Sequence, residues 1–442
     1  MMIRRNFEVI TAGDFLGVLK SCIDEHALSI SRLERLGRYY KGEHDSWAAV
    51  PRHGSFAGNE GEPRLVCNWA KFITDMASGY MFGKPVEYRA RSKVQNAGQV
   101  FGDETSAGGG IIDRGPNSTN MLLFNEGARQ EGVGKSKSSD SSAFVLAETM
   151  SLKGKKQPDS IIQSLVAAES ATHDSELGKA LSVYGYAYEL VYFHDGKPAL
   201  AIVDPRSAFV VYDDTVRSQP LFGVILRGKS FTVYYADKVH EYADGEKVSE
   251  EVNLFGRIPL LQYWNNEEGM GDFEAVLSLI DAYNILQSDR IADKQRFVNA
   301  ILKVTGAAFE TDEFGRLTGD AKNLLRSGIL QLPEDSDAAY LTKSLSEGEA
   351  EILKNAIALD IHKFSLIPDF SDRHFAGNQS GVAMRFKMIS IEYLCRVKER
   401  FFASGLKSRL ELFAKALEVA GEAACHDDVE IVFSRELGLL GG

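Results

Sequence analysis

Ile367-Pro368-Asp369-Phe370-Ser371-Asp372-Arg373-His374-Phe375-Ala376-Gly377-Asn378-Gln379-Ser380-Gly381-Val382-Ala383-Met384 decides the reading of this chain. Pro368 ends a helical pattern, because proline has no N–H to donate and pushes the residue before it out of the helical region. A polar stretch of about twelve residues follows, against a usual loop of ~4–6. Ser380 then opens a second, much longer helical pattern. Long loops carried by regular elements are more often functional than short ones.

Working outward, the helix before the loop spans about 346–366. Ser346 and Glu349 have the spacing of a capping box, and Ile352, Leu353, Ile357, Ile361 and Phe364 form its stripe. The helix after the loop runs from Ser380 towards Glu418, with Val382, Phe386, Ile389, Tyr393, Val397 and Phe401 as a stripe and Gly405 as an expected kink. Upstream lies a third pattern, 272–298, about 40 Å long at the helical rise. Its first half is broadly apolar (Phe273, Val276, Leu277, Ile280, Tyr283, Leu286) and its second half, Gln287 to Arg296, mostly polar. A helix that changes character halfway leaves one packing layer for another. The apolar half is too greasy to stand exposed, so burial against neighbouring subunits as well as its own chain is expected for Phe273, Val276, Ile280 and Tyr283. Between this helix and 346–366 sits a compact α/β piece, 299–345, containing Gly328-Ile329-Leu330-Gln331-Leu332-Pro333.

Nearer the N-terminus, 14–40 and 65–82 read as helices, the second stopped by Gly83 and Pro85, with a strand starting at Val86. Residues 92–160 turn Gly- and Ser-rich and hold few bulky apolar groups to offset ordering entropy. They read as a variable insertion, with a short helix around 142–151. Residues 175–265 are β-rich, and Asp195-Gly196 and Asp244-Gly245 each sit between strand-like runs as hairpin turns. The fold class is α+β.

Composition narrows the function classes. The 442 residues are 44% hydrophobic and 25% charged, ordinary for a globular chain with a real core. No apolar run approaches the ~20 residues that span a bilayer, so no membrane partner is expected. Met1 to Asn6 lacks a signal-peptide apolar region, so the protein is expected to stay in the cytoplasm where it is made. Cys22, Cys67, Cys395 and Cys425 form no CxxC pair and read as free thiols. The net charge of −12 argues against gripping nucleic acid along a basic face. An acidic wall would let DNA slide by without sticking.

No catalytic constellation survives inspection. Gly132-Val133-Gly134-Lys135-Ser136 has the end of a phosphate loop, but the required first glycine is Arg129 and no apolar strand precedes it. Cys425-His426-Asp427-Asp428 reads as a solvated turn before the strand Val429–Phe433. Asp213-Asp214 reads as a turn, although two carboxylates could hold a cation. Trp47, Trp69 and Trp264 could stack on bases, but each lies beside apolar partners and reads as packing. No cofactor, metal or enzymatic activity is expected.

The opening stretch closely resembles the tunnel loop of portal proteins of tailed double-stranded DNA phages, the type found in long-tailed phages of Gram-positive hosts. The same resemblance is carried by Arg38-Tyr39-Tyr40-Lys41-Gly42-Glu43-His44-Asp45, by Cys67-Asn68-Trp69-Ala70-Lys71, and by Gly79-Tyr80-Met81-Phe82-Gly83-Lys84-Pro85-Val86-Glu87-Tyr88. Tyr184-Gly185-Tyr186-Ala187-Tyr188-Glu189-Leu190 and Tyr212-Asp213-Asp214-Thr215 complete it. It implies a ring, commonly of twelve subunits, around an axial DNA channel at one capsid vertex. DNA would be packaged and ejected through it, with no catalysis of the chain's own. It further implies a wing from 1–90 and 173–265 with the insertion 91–172, stem helices at 266–298 and 346–367, and a clip at 299–345. A tunnel loop at 368–380 would follow, then a long helix at 381–418 leading to a short crown at 419–442. The loop residues expected to line the tunnel are Asp369, Asp372, Arg373, His374, Asn378 and Gln379; the clip residues expected to meet partners are Asp312, Glu313 and Phe314. Expected partners are other copies of the chain, duplex DNA, a terminase that supplies the energy, neck proteins, and the major capsid and scaffolding proteins.

Two departures stand against the resemblance. The segment 92–172 is longer and more Ser/Gly-rich than the wing of such proteins. The text ends at Gly442 where they continue with further crown helices, so a short crown, a truncated chain and an inactive prophage remnant all fit. A minor head or adaptor protein, or a DNA-handling ATPase or nuclease, are the rival classes; the last would need a phosphate loop or a carboxylate–metal cluster.

Overall fold

The computed structural model describes residues 2–6, 15–45, 64–91, 158–298, 301–305, 337–341, 347–370, 385–422 and 424–435. Strand β1 (Ile3–Arg5) precedes α1 (Phe15–Lys41), α2 (Trp69–Phe82) and β2 (Glu87–Ala90). Helices α3 (Pro158–Ala167) and α4 (Ser170–Tyr184) lead into eight strands: β3 (Tyr186–His194), β4 (Lys197–Val203), β5 (Ala208–Asp213), β6 (Pro220–Arg227), β7 (Ser230–Tyr234), β8 (Lys238–Ala243), β9 (Glu246–Val252) and β10 (Leu260–Trp264). A 3-10 turn at Glu274–Val276 opens α5 (Leu277–Val298); β11 (Ile301–Thr305), β12 (Asp337–Leu341), α6 (Glu347–Ser365), α7 (Ile389–Val419) and β13 (Val429–Val432) follow. The short helix expected at 142–151, Trp47 and the glycine-rich 132–136 lie outside the described residues.

Six strands form one sheet in the order β1-β5-β6-β7-β8-β9, with β1 parallel to β5 and the rest an antiparallel meander. A second sheet runs β10-β3-β4. Both Asp-Gly hairpins appear where the sequence puts them. Asp195 and Gly196 have φ of 50° and 76°, and Asp244 and Gly245 have 50° and 87°. Left-handed values at both turn residues match the right-handed twist of the flanking strands.

The alternation of side chains across a strand explains why β5 and β6 are apolar nearly throughout. Phe209, Val211, Phe222 and Val224 face Leu19 and Cys22 of α1. Ala208, Val210 and Ile225 face Tyr186, Tyr188 and Leu260 of the smaller sheet. Helix α1 crosses three cores in turn: Leu19 in the first, Leu33 in the second, Leu36 and Tyr39 in the third. That third and largest core joins α2, α4, the 3-10 turn, α5, α6 and α7.

The second helix begins four residues later than its sequence pattern suggests. Asn68 accepts from the Lys71 N–H and caps it at Trp69. Leu65 and Cys67 instead donate backbone N–H groups to Ser288 and Asn284 of α5. The apolar first half of α5 is also taken up differently from the expectation built on it. Phe273, Val276 and Ile280 are fully covered by their own chain, and Tyr283 is half-buried. Their apolar character therefore needs no neighbouring subunit to account for it. Nor does Gly405 interrupt α7. A Cβ there would stand 2.3 Å from Cε1 of Tyr263, so the glycine admits the ring against an unbroken helix.

Candidate functional site

The segments Arg38–Asp45 and Cys67–Lys71, singled out in sequence, come together as a clasp on α5. The Tyr39 hydroxyl donates to Asp281 at 2.8 Å, and His44 stacks on Tyr39 with ring centroids 4.5 Å apart. Asn284, fully buried, bonds His44 Nδ1 at 2.8 Å and accepts from the Cys67 N–H at 2.8 Å. Asn68 closes the clasp by donating to the Tyr40 carbonyl. Burial lowers the pKa of His44, which suits its place among neutral bonds. The polar residues set into the buried side of α5 are thereby explained: Asp281, Asn284 and Ser288 answer backbone and ring groups of the first 70 residues.

The other end of the clasp holds the root of the polar loop. Helix α6 ends with Leu366 in the left-handed region at φ 60°, and Ile367 is buried. His362 Nδ1 lies 3.0 Å from the Ile367 carbonyl, and its Nε2 lies 3.7 Å from Asp369. The His362 ring meets Trp69 and Phe72 edge-on at 5.1 and 6.1 Å. A groove of about 340 Å³ opens here, lined by Cys67, Asn68, Trp69, Phe72, His362, Asp369 and Phe370. Asp369 thus leaves α6 in a set direction, fixed by an imidazole wedged between two aromatic rings.

Beyond the loop, α7 is held by two buried ionic clamps. Lys398, 2% exposed, donates to Asp272 at 2.6 Å and to Ser182 at 2.7 Å. Asn265 donates to the same Asp272. Three turns on, the fully buried Arg409 gives Glu189 two bonds, at 3.0 and 2.6 Å, and Asp174 a third at 2.5 Å. Tyr263 donates to Glu189 at 2.7 Å, and His173 Nε2 stands 2.7 Å from its other oxygen. Burial alone would raise the Glu189 pKa, but Arg409 and His173 hold it down at about 2. Asp174 has fewer donors; burial wins there and its pKa is raised in spite of Arg409. Counting apolar residues does not find these cations. Their spacing of eleven, in register with Ile391, Cys395, Phe402 and Phe413, is the signal that places them on the buried face.

Of the residues expected to line the loop, Asp369 is at this root, while Asp372, Arg373, His374, Asn378 and Gln379 lie outside the described residues. So do Asp312, Glu313 and Phe314, although β11 and β12 that flank them pair antiparallel, Ile301 to Leu341. Asp213 spends its carboxylate on a turn, accepting from Thr215 and Gln219. Trp69 and Trp264 pack against Tyr283 and Tyr186. Among the described residues no cluster of three His, Cys, Asp or Glu side chains is placed to hold a metal, and no helix is long and apolar enough to cross a membrane.

Comparison with known proteins bears on this arrangement. Chains in two solved structures, "Neck of empty GTA particle computed with C6 symmetry" and "Virion of native gene transfer agent (GTA) particle", superpose loosely, with TM-scores of 0.38 and 0.36 at 12% and 14% identity. The superpositions cover 68% and 60% of this chain and 76% and 71% of those chains. The portal protein of Bacillus phage SPP1 is 22% identical over 271 residues, 54% of this chain and 52% of that protein. The chain therefore matches about half the length of this relative. The family described as "Phage portal protein, SPP1 Gp6-like" matches residues 19–437. That span takes in the clasp, both ionic clamps and the whole stretch from α6 through the loop to α7, and the chain belongs to this phage portal protein family.

Proposed function

We propose that the chain is the portal subunit of a phage head: it assembles as a ring at one capsid vertex and forms the conduit for DNA packaging and ejection. The family match across residues 19–437 carries this reading. In it, Asp369, Asp372, Arg373, His374, Asn378 and Gln379 line the narrowest part of the channel. Their mixed charge touches DNA without holding it. The stem is α5 with α6, tied by Arg290 to Glu351 at 3.0 Å. The clip, 299–345, stands at one end of that helix pair and offers Asp312, Glu313 and Phe314 to a terminase and later to a neck protein. The outer wing faces capsid and scaffolding proteins. The subunit performs no catalysis; a separate ATPase drives translocation.

The test is direct. Purified protein should form ring-shaped particles in negative-stain micrographs, and Arg373→Glu should leave rings intact while DNA packaging in a complementation assay falls at least tenfold. A strictly monomeric wild-type chain would defeat the proposal. Full packaging by Arg373→Glu would remove the loop from it.

A further inference from the structure

Helix α7 carries two apolar faces. One is the buried row Ile391, Cys395, Phe402 and Leu406. The other lies on the opposite side of the helix: Ile389, Tyr393 and Val397 recur every four residues, with Phe386 one turn ahead. These four are between 42% and 69% exposed. Helix α6 also has an outward apolar side, spread over a wider arc. Ile361 and Ser365 turn inward, while Ile352, Leu353, Leu359 and Phe364 turn outward at 51% to 71% exposure. Single exposed apolar residues are unremarkable. Four exposed apolar residues on each helix, in one line on α7 and across a wider outward arc on α6, are patches that a soluble surface covers with a partner.

The two rows suit each other. Phe386 to Val397 spans about 16 Å and Ile352 to Phe364 about 18 Å at the helical rise. Their charges are opposite in balance. Helix α6 carries Glu347, Glu349, Glu351 and Asp360 against Lys354 and Lys363. Residues 385–400 carry Arg385, Lys387, Arg396 and Arg400 against Glu392 and Glu399, once Lys398, buried on Asp272, is set aside. The rows also have different supports. Helix α6 packs on α5 and the 3-10 turn, whereas α7 packs on α2, α3 and β10. A closed ring needs two unlike, complementary surfaces on every subunit, since each copy is both a front and a back neighbour.

We infer that the outward row of α6 on one subunit packs against the outward row of α7 on the next, as the heterologous contact that closes the ring. The inference rests on the portal reading for the occurrence of a ring, and names which faces make it. It assigns the contact to surfaces other than Phe273, Val276 and Ile280, which their own chain already covers.

The experiment uses two full-length double variants: Leu359→Asp/Phe364→Asp on α6, and Ile389→Asp/Tyr393→Asp on α7. All four side chains are exposed, so circular dichroism and melting temperature should match wild type. By mass photometry at micromolar concentration each variant alone should be monomeric. An equimolar mixture should give a dimer and no larger species, because one α6 row and one α7 row remain intact between the two variants. Rings formed by either variant alone would overturn the assignment and hand that face to a different partner. A mixture that stays monomeric while wild type forms rings would show that the two rows do not meet. If wild type itself never forms rings, the portal reading fails, and that result is separate from the other two.

Discussion

At the residue scale, Arg409 is fully buried and bonded to Glu189, Asp174 and Tyr88, and no sequence motif singles it out. One guanidinium answers two buried carboxylates, Glu189 and Asp174, so the fixed charges of the cluster sum to an excess of negative charge. Burial of a charge is tolerated where donors replace water, and Glu189 has them while Asp174 has fewer. The raised pKa of Asp174 gives the expected pH dependence. A carboxyl whose folded value lies above its ordinary 3.8 binds a proton more tightly when folded. Its contribution to stability is then full below the ordinary value and is lost as pH rises through the folded value. Asp174→Asn keeps an oxygen for the Arg409 N–H and deletes the surplus charge. It should raise the urea midpoint at pH 8, and the gain should close as pH falls towards 4. A variant less stable than wild type at pH 8 would mean that the ionised pair is net favourable. His173, Tyr88, Tyr263 and Glu189 face the same cluster, so the wild-type profile is the necessary control.

At the element scale, α7 shows what periodicity can and cannot give. The row Phe386, Ile389, Tyr393, Val397 was legible as an apolar stripe, yet it is the outward one. The inward row hides two cations, Lys398 and Arg409, whose charge conceals it from any apolar count. Start and stop signals fared better where backbone chemistry is specific. Asp-Gly fixed both hairpins because few residue pairs accept two positive φ values, and Asn68 shows why α2 starts where it does. Gly405 has a sharper outcome. In an exposed helix, glycine to alanine stabilises by up to about 1 kcal/mol. Here a Cβ would meet Cε1 and Cδ1 of Tyr263 at 2.3 and 2.4 Å, and Tyr263 is itself fixed by its bond to Glu189. Overpacking of this kind costs about 1–3 kcal/mol. Gly405→Ala should therefore lower stability by about 1–2 kcal/mol in chemical denaturation, against the helix propensity. An increase would show that α7 can lift from β10 cheaply.

At the scale of the whole molecule, the charge of −12 has a consequence that family membership alone does not. Proteins that grip duplex DNA do so by neutralising phosphates with lysine and arginine, and their affinity falls steeply with salt. Many of this chain's arginines are already committed internally: Arg32 to Glu274, Arg409 to Glu189 and Asp174, Arg435 to Glu392 and Glu399. In the proposed ring, subunits of this charge would present DNA with a largely acidic wall, relieved by loop cations such as Arg373. Contact without capture is the property a conduit requires, since each phosphate bound during translocation is a barrier to the next step. Assembled rings at about 1 μM should therefore leave a linear duplex of some hundred base pairs unshifted in a native gel at ~150 mM salt. Adding positive charge inside the loop, as in Asp372→Lys, should make retention appear and make it sensitive to salt. Tight retention by the wild-type ring, with affinity dropping ~10³-fold or more between ~50 and ~200 mM salt, would mean that cationic surface dominates the channel after all.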